Sequence, residues 1–179
     1  EVNDYSSASD LLTKLKAEPA AKGKRSFTYL QARLAEGLGD REQAMALYSE
    51  LTGDESRDQY QVLGQLRRLQ LLSQANTIDD TDMIKALETL SVTWRGDDTE
   101  LQTLSTLAHF YVRKGEYRQA FETMKAAAIA APGEPRTRKL QDDMQAVFVD
   151  LFLGNAANGM KPVDALALYY DYKELTPVG

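Results

Sequence analysis

The chain contains no cysteine and a single histidine, His109. The first absence excludes disulfides, thiolate zinc sites and a cysteine nucleophile together. The second leaves no multi-histidine metal centre, and the Ser-His-Asp arrangement is set aside with it. No apolar run approaches the roughly 18 residues that a membrane span requires, so direct membrane insertion is not expected. Basic residues are in the minority, 21 Lys and Arg against 27 Asp and Glu, for a net charge of −6. That balance argues against nucleic acid, because phosphate binding draws on a basic surface that releases counterions. No lysine-bearing phosphate loop occurs, and Gly37-Leu38-Gly39 follows a helical pattern instead of a strand, so neither a nucleotide nor any other cofactor is expected. Glu1 stands where a start methionine would, and no charged-then-apolar leader follows it, so the chain is expected to be a processed or excised piece. The compartment is left open between cytoplasm and periplasm.

What is present is helical patterning. Hydrophobic residues make up 43% and charged residues 27%, with a mean hydropathy of −0.44, the profile of a folded, soluble chain. Apolar positions recur at helical spacing almost throughout, no stretch alternates with a period of two, and about nine helices and no sheet are predicted. The first covers residues 5–18, with Ala8, Leu11, Leu12 and Leu15 on one face. The second covers 26–36 and stops at Gly37 and Gly39. Asp40 and Gln43 form a capping-box pair that opens the third, through Ala44, Leu47, Tyr48 and Leu51. Ser56 with Gln59 opens a longer fourth helix carrying Tyr60, Leu63, Leu66, Leu69 and Leu72. A polar loop follows at 76–82, then a fifth helix with Ile84, Leu87, Leu90 and Trp94 that Gly96 closes. Asp97 and Glu100 cap the sixth. Helices six and seven run up to Pro132, the eighth from about Arg136 to Ala157, and Pro162 starts the ninth, which holds Tyr169, Tyr170 and Tyr172.

One stretch is more specific than the rest. Leu104-x2-Leu107-Ala108-x2-Tyr111, then Gly115 and Tyr117, then Ala120-x3-Met124 and Pro132, resembles a complete tetratricopeptide repeat (TPR). Weaker copies are in phase with it at Ala44-x3-Tyr48, Ala86 and Ala165-x3-Tyr169, with Gly39 five residues before Ala44 as Gly115 is before Ala120. The layout is similar to a piece of a larger bacterial TPR-containing protein. The resemblance implies one all-α domain over 1–179, a right-handed superhelical solenoid of antiparallel helix pairs, with units at 1–22 (partial), 23–54, 55–96, 97–133 and 134–179. The family stacks such pairs because neither helix of a pair can bury its apolar stripe alone. Two of the pairs, opened by Ser56 and by Arg136, have lengthened first helices. The phase suggests truncation, with apolar surface left at both ends.

The resemblance also implies the kind of function, a non-catalytic scaffold that receives a protein, as a peptide or a helix, in a concave groove lined by first helices. Carried onto this chain, the groove candidates are Tyr29 and Arg33, then Gln61, Gln65 and Arg68, then Ser105, His109, Val112 and Arg113. Arginines beside amides suit an acidic segment or a terminal carboxylate. The lysine and asparagine pairing of the chaperone-binding clamp is absent, so a chaperone tail is not expected as ligand. Phe148, Phe152, Tyr169, Tyr170 and Tyr172 are either ordinary core residues or an interface to further repeats, to a second copy or to a partner. Two other functions stay open: a structural segment of a longer solenoid that self-associates as a homo-oligomer through apolar ends, and a helical-toroid carbohydrate-active enzyme. The latter needs two carboxylates facing each other across a cleft. No pair stands out, since Asp79-Asp80 and Asp97-Asp98 fall at predicted helix starts and Asp142-Asp143 on a solvated face.

Overall fold

The structure, a computed structural model, describes residues 10, 13–14, 24–53, 58–130, 135–154 and 156–176. Among the described residues all regular structure is helical. Eight α-helices follow in order: α1 (Arg25–Gly37), α2 (Arg41–Thr52), α3 (Gln59–Gln74), α4 (Asp80–Thr93), α5 (Asp98–Lys114), α6 (Tyr117–Ala130), α7 (Pro135–Leu153) and α8 (Pro162–Asp171). Short 3₁₀ turns occupy Ala156–Gly159 and Lys173–Leu175. Of the helix predicted at 5–18, only positions 10, 13 and 14 are described, and they are helical; the rest lies outside the described residues.

The helix boundaries follow from capping chemistry. Gly39 (φ +84°) and Gly115 (φ +77°) adopt the left-handed conformation just past α1 and α5. In each case the next residue's N–H reaches back to an orphan carbonyl, Asp40 to Ala35 and Glu116 to Tyr111, both at 2.9 Å. Asn76 (φ +53°) does the same after α3, with Thr77 donating to Leu72 at 3.0 Å. Asp40 then caps α2 by accepting from the Gln43 N–H at 3.0 Å. Its own N–H is spent on α1, so one residue closes one helix and opens the next. Helix α3 is capped by Asp58, two residues beyond the expected Ser56, with its carboxylate accepting from the Gln61 N–H at 2.9 Å; Ser56 itself lies outside the described residues. Helix α4 stops at Thr93, and Trp94, expected inside it, instead donates its indole N–H to the α5 cap Asp97 at 2.9 Å. Helix α7 ends at Leu153, short of the expected Ala157, which falls in the 3₁₀ turn.

The chain divides into two compact units, Glu1–Ala86 and Leu87–Gly179, with the division inside α4. In the first, α1 pairs with α2, α2 packs on α3, and α1 also touches α3. Small residues permit this. Ala32, Ala35 and Ala44 are buried with Tyr48, Leu51 and Leu71 in one core. Gly64 is buried where α3 crosses α2, and a Cβ there would stand 3.1 Å from the Leu51 Cβ and 3.4 Å from the Tyr48 carbonyl. Arg25, at the start of α1, donates to the Leu51 carbonyl at the end of α2 (2.6 Å) and pairs with the α3 cap Asp58 (2.6 Å).

The second unit repeats the scheme, with α5 on α6, α6 on α7, and α5 also touching α7. Its core joins Leu101 and Ala108 of α5, Phe121, Met124 and Ala127 of α6, Leu140, Met144, Phe148 and Leu151 of α7, and Leu168 and Tyr172 at the C-terminal end. Ala120 is fully buried beside Phe121, as Ala44 is in the first unit.

The crossing at Gly64 gives a direct test. Gly64→Val should lose about 1–3 kcal/mol, since the branched side chain must push α3 off α2 and close packing yields little. A urea midpoint shift with an unchanged slope checks it.

Candidate functional site

The first unit concentrates its polar contacts on one carboxylate. Helical spacing puts Tyr29, Arg33 and Glu36 along one stripe of α1. Glu36 accepts the Tyr48 phenol from α2 at 2.7 Å and the Arg67 Nε from α3 at 3.2 Å, and a second Arg67 nitrogen closes the fork on its other oxygen. The third side of Arg67 donates to Gln70 at 2.8 Å. Glu36 therefore holds three helices through charge-assisted hydrogen bonds. Burial, reinforced by the hydrogen bond to the Glu36 carboxylate, pushes the Tyr48 phenol well above the usual tyrosine range.

The second unit has a simpler counterpart. Tyr111 of α5 donates to Glu88 of α4 at 2.6 Å, and burial together with that carboxylate raises its phenol as well. Asp97 accepts from the Thr99 N–H and from Trp94, while Glu100 accepts from the Gly96 N–H at 2.7 Å. Gly96 and Asp97 thereby form a helix stop followed at once by a helix start.

The groove candidates separate into two kinds within the first unit. Tyr29 is half-buried, its ring 6.2 Å from Tyr48 and 6.0 Å from Tyr60. Burial works against the Arg33 charge, but the neighbouring Tyr29, Tyr48 and Glu36 side chains outweigh it and hold the guanidinium above its usual range. Arg33 is exposed, with its Nε 3.7 Å from Glu36. On α3, Gln61 and Gln65 are half-buried and Arg68 is exposed. Two helices in contact thus carry exposed guanidiniums, Arg33 on α1 beside Glu36 and Arg68 on α3, with half-buried Gln61 and Gln65 on α3. In the second unit α5 carries the remaining candidates. Ser105 and Val112 are half-buried, Val112 against the core, while His109 and Arg113 are exposed and both meet the Phe110 ring, at 5.7 Å and 5.0 Å. Each guanidinium can grip a carboxylate or a run of carbonyls by paired hydrogen bonds.

The aromatic candidates near the C-terminal end also divide. Phe148 and Tyr172 are 2% and 5% exposed, so neither is available to a partner. Their rings face Phe121 at 6.2 Å and 4.8 Å, closing the end of the chain onto α6 and α7. Phe152 is half-buried, 4.8 Å from Phe148, and Tyr169 leans edge-on against it at 5.3 Å. Of the five, Tyr170 is clearly exposed and Tyr169 lies at the margin.

Sequence reading missed Glu36, Arg67, Gln70 and Glu88, although each is placed by a helix it recognised. Glu36 and Arg67 are 31 residues apart, and no local spacing marks them as partners. It also missed Val163 and Leu166, both strongly exposed. Among the described residues no group of three or more His, Asp or Glu side chains could hold a metal ion, and no described helix is long and apolar enough to cross a membrane. No family model matches the chain, and no curated protein matches it.

The raised phenols set a pH dependence. A tyrosine whose folded pKa exceeds its unfolded value of about 10 contributes stability that is complete below that pH and is lost as pH climbs through the folded value. Stability should therefore fall with pH above about 10, and Tyr48→Phe and Tyr111→Phe should each flatten the fall. At neutral pH Tyr48→Phe should cost about 1.5–3 kcal/mol, the worth of a hydrogen bond to a charged group. Urea titrations across the pH series, with phenolate absorbance read in parallel, check both.

Proposed function

We propose that the chain is a non-catalytic protein-interaction scaffold of TPR-like helix pairs, with the right-handed winding of that family inside each unit. The face of α1 and α3 is the receiving surface for an extended acidic peptide or an acidic helix. The observation that carries this reading is that exposed Arg33 and Arg68, with half-buried Gln61 and Gln65, stand on two helices in contact. The Glu36–Arg67 pair supports the reading by linking the two helices from which these guanidiniums project. A local pair of cations on a chain of net charge −6 selects a carboxylate-bearing segment over nucleic acid.

The absence of catalysis is part of the proposal, and the use made of the acidic groups supports it. Glu36 and Glu88 hold helices through tyrosines, and Asp40, Asp58, Asp79 and Asp97 are engaged as caps. Paired carboxylates aimed across a cleft, which glycoside hydrolysis needs, are not what these side chains provide. In the second unit Arg113, with His109 and Ser105 beside it on α5, offers a smaller surface of the same chemistry.

Replacing Arg33, Arg68 and Arg113 together by alanine should reduce partner capture from a native extract by about tenfold or more. The fold should survive, because substitutions at exposed positions move stability by only about 0.5 kcal/mol each. Unchanged capture by a folded triple variant contradicts the proposal.

A further inference from the structure

The 3₁₀ turn between α7 and α8 holds a reactive pair. Of the four asparagines in the sequence, Asn3, Asn76, Asn155 and Asn158, the last alone precedes a glycine. Asn158 and Gly159 are both exposed, and a Cβ added at Gly159 would meet nothing within 4 Å. An asparagine side chain is the right length for the next residue's backbone nitrogen to close on its Cγ as a cyclic imide. Closure requires the peptide group to swing onto the side chain, which glycine permits and a residue with a Cβ resists. A four-residue 3₁₀ turn with no buried residue opens at little cost. Asn76 is the contrast. The nitrogen that would attack its side chain belongs to β-branched Thr77, and its N–H is held by the Leu72 carbonyl at 3.0 Å.

The neighbours of this pair give the reaction a consequence. Ala157 and Met160, on either side of it, both pack against the core of the second unit. The Met160 N–H donates to the Ala157 carbonyl at 3.0 Å, which closes the turn around Asn158 and Gly159. Lys161 and Pro162 then open α8 at once, and Leu168, with Tyr172 just beyond the helix, carries it into the same core. We propose that Asn158 is a self-modification site, where loss of the side-chain amide lengthens the backbone and loosens α8. The Gly159 nitrogen gives up its proton and bonds to the Asn158 Cγ, and the side-chain amide leaves as ammonia. Water then opens the imide. Addition at Cγ leaves aspartate; addition at the Asn158 main-chain carbonyl leaves isoaspartate, in which the chain runs through Cγ. Nothing is oxidised or reduced, and the net change is one water consumed and one ammonia released. Both products add a negative charge. Isoaspartate also inserts a methylene between Ala157 and Met160, which breaks the geometry of the bond that closes the turn.

The test ages the whole chain in mildly alkaline and in mildly acidic buffer and maps it by peptide mass spectrometry, with isoaspartate separated from aspartate by chromatography. Amide-to-acid conversion at Asn158 should outpace that at Asn76 by about tenfold or more, and should be faster in alkali, because the attacking nitrogen must lose its proton. Gly159→Ala, with open space for its methyl group, should slow the conversion by about tenfold or more. In the isoaspartate fraction, amide hydrogen exchange across α8 should quicken by about tenfold or more. Freshly purified Asn158→Asp, which carries the charge on an unlengthened backbone, should exchange like the unmodified chain. Conversion no faster than at Asn76, indifferent to Gly159→Ala, or confined to denaturant overturns the site. Exchange in α8 that is unchanged in the isoaspartate fraction, or equally quickened in Asn158→Asp, overturns its effect.

Discussion

Glu36 is the interaction on which the first unit depends. One carboxylate on α1 is shared by a phenol from α2 and a forked guanidinium from α3, and Arg25 ties the same three helices at the opposite end of α1. A partly buried ion pair of this kind contributes little net stability, since desolvating both charges offsets most of their attraction. What it contributes is register. Slipping α3 by one residue would bring Arg68 toward the carboxylate and leave Arg67 outside, so the pair decides which arginine is internal and which is offered to solvent.

Close approach makes the ion pair reachable. Alanines at 32, 35 and 44 and the glycine at 64 let helix surfaces meet without intervening side chains. The second unit uses Ala108, Ala120 and Ala127 in the same way, and there Tyr111 of α5 with Glu88 of α4 stands where the first unit has the Glu36 network. Its core also gathers aromatic rings, with Phe148 and Tyr172 against Phe121. Both units thus combine small residues at helix crossings with a tyrosine that donates to a glutamate and with aromatic ring contacts.

Much of this could be read from the sequence because it is local. The caps at Asp40 and Asp97, the left-handed turns at Gly39 and Gly115, and the in-phase alanines all lie within a few residues of what they control. Errors arose where two local signals competed. Ser56 and Asp58 are both good caps two residues apart, and the carboxylate took the role. Trp94 fits the apolar spacing of α4, yet its indole N–H finds a partner only outside the helix. Contacts between helices were not legible at all, which is why Glu36–Arg67 was missed and why Phe148 and Tyr172, large aromatics near a chain end, were weighed as an interface. Helix α8 shows the converse, an apolar face that periodicity alone could not assign to core or to surface.

Position-specific crosslinking tests most directly the proposal that the exposed face of α1 and α3 receives a partner. A photoreactive phenylalanine analogue would be placed singly at Gln65, on the proposed receiving face, and at exposed Ala46 on α2, and irradiated in native extract. Crosslinked adducts from position 65, suppressed by Arg33→Ala with Arg68→Ala, together with none from position 46, are the expected result. Adducts from position 46 alone, or adducts from 65 that are indifferent to both arginines, would contradict it.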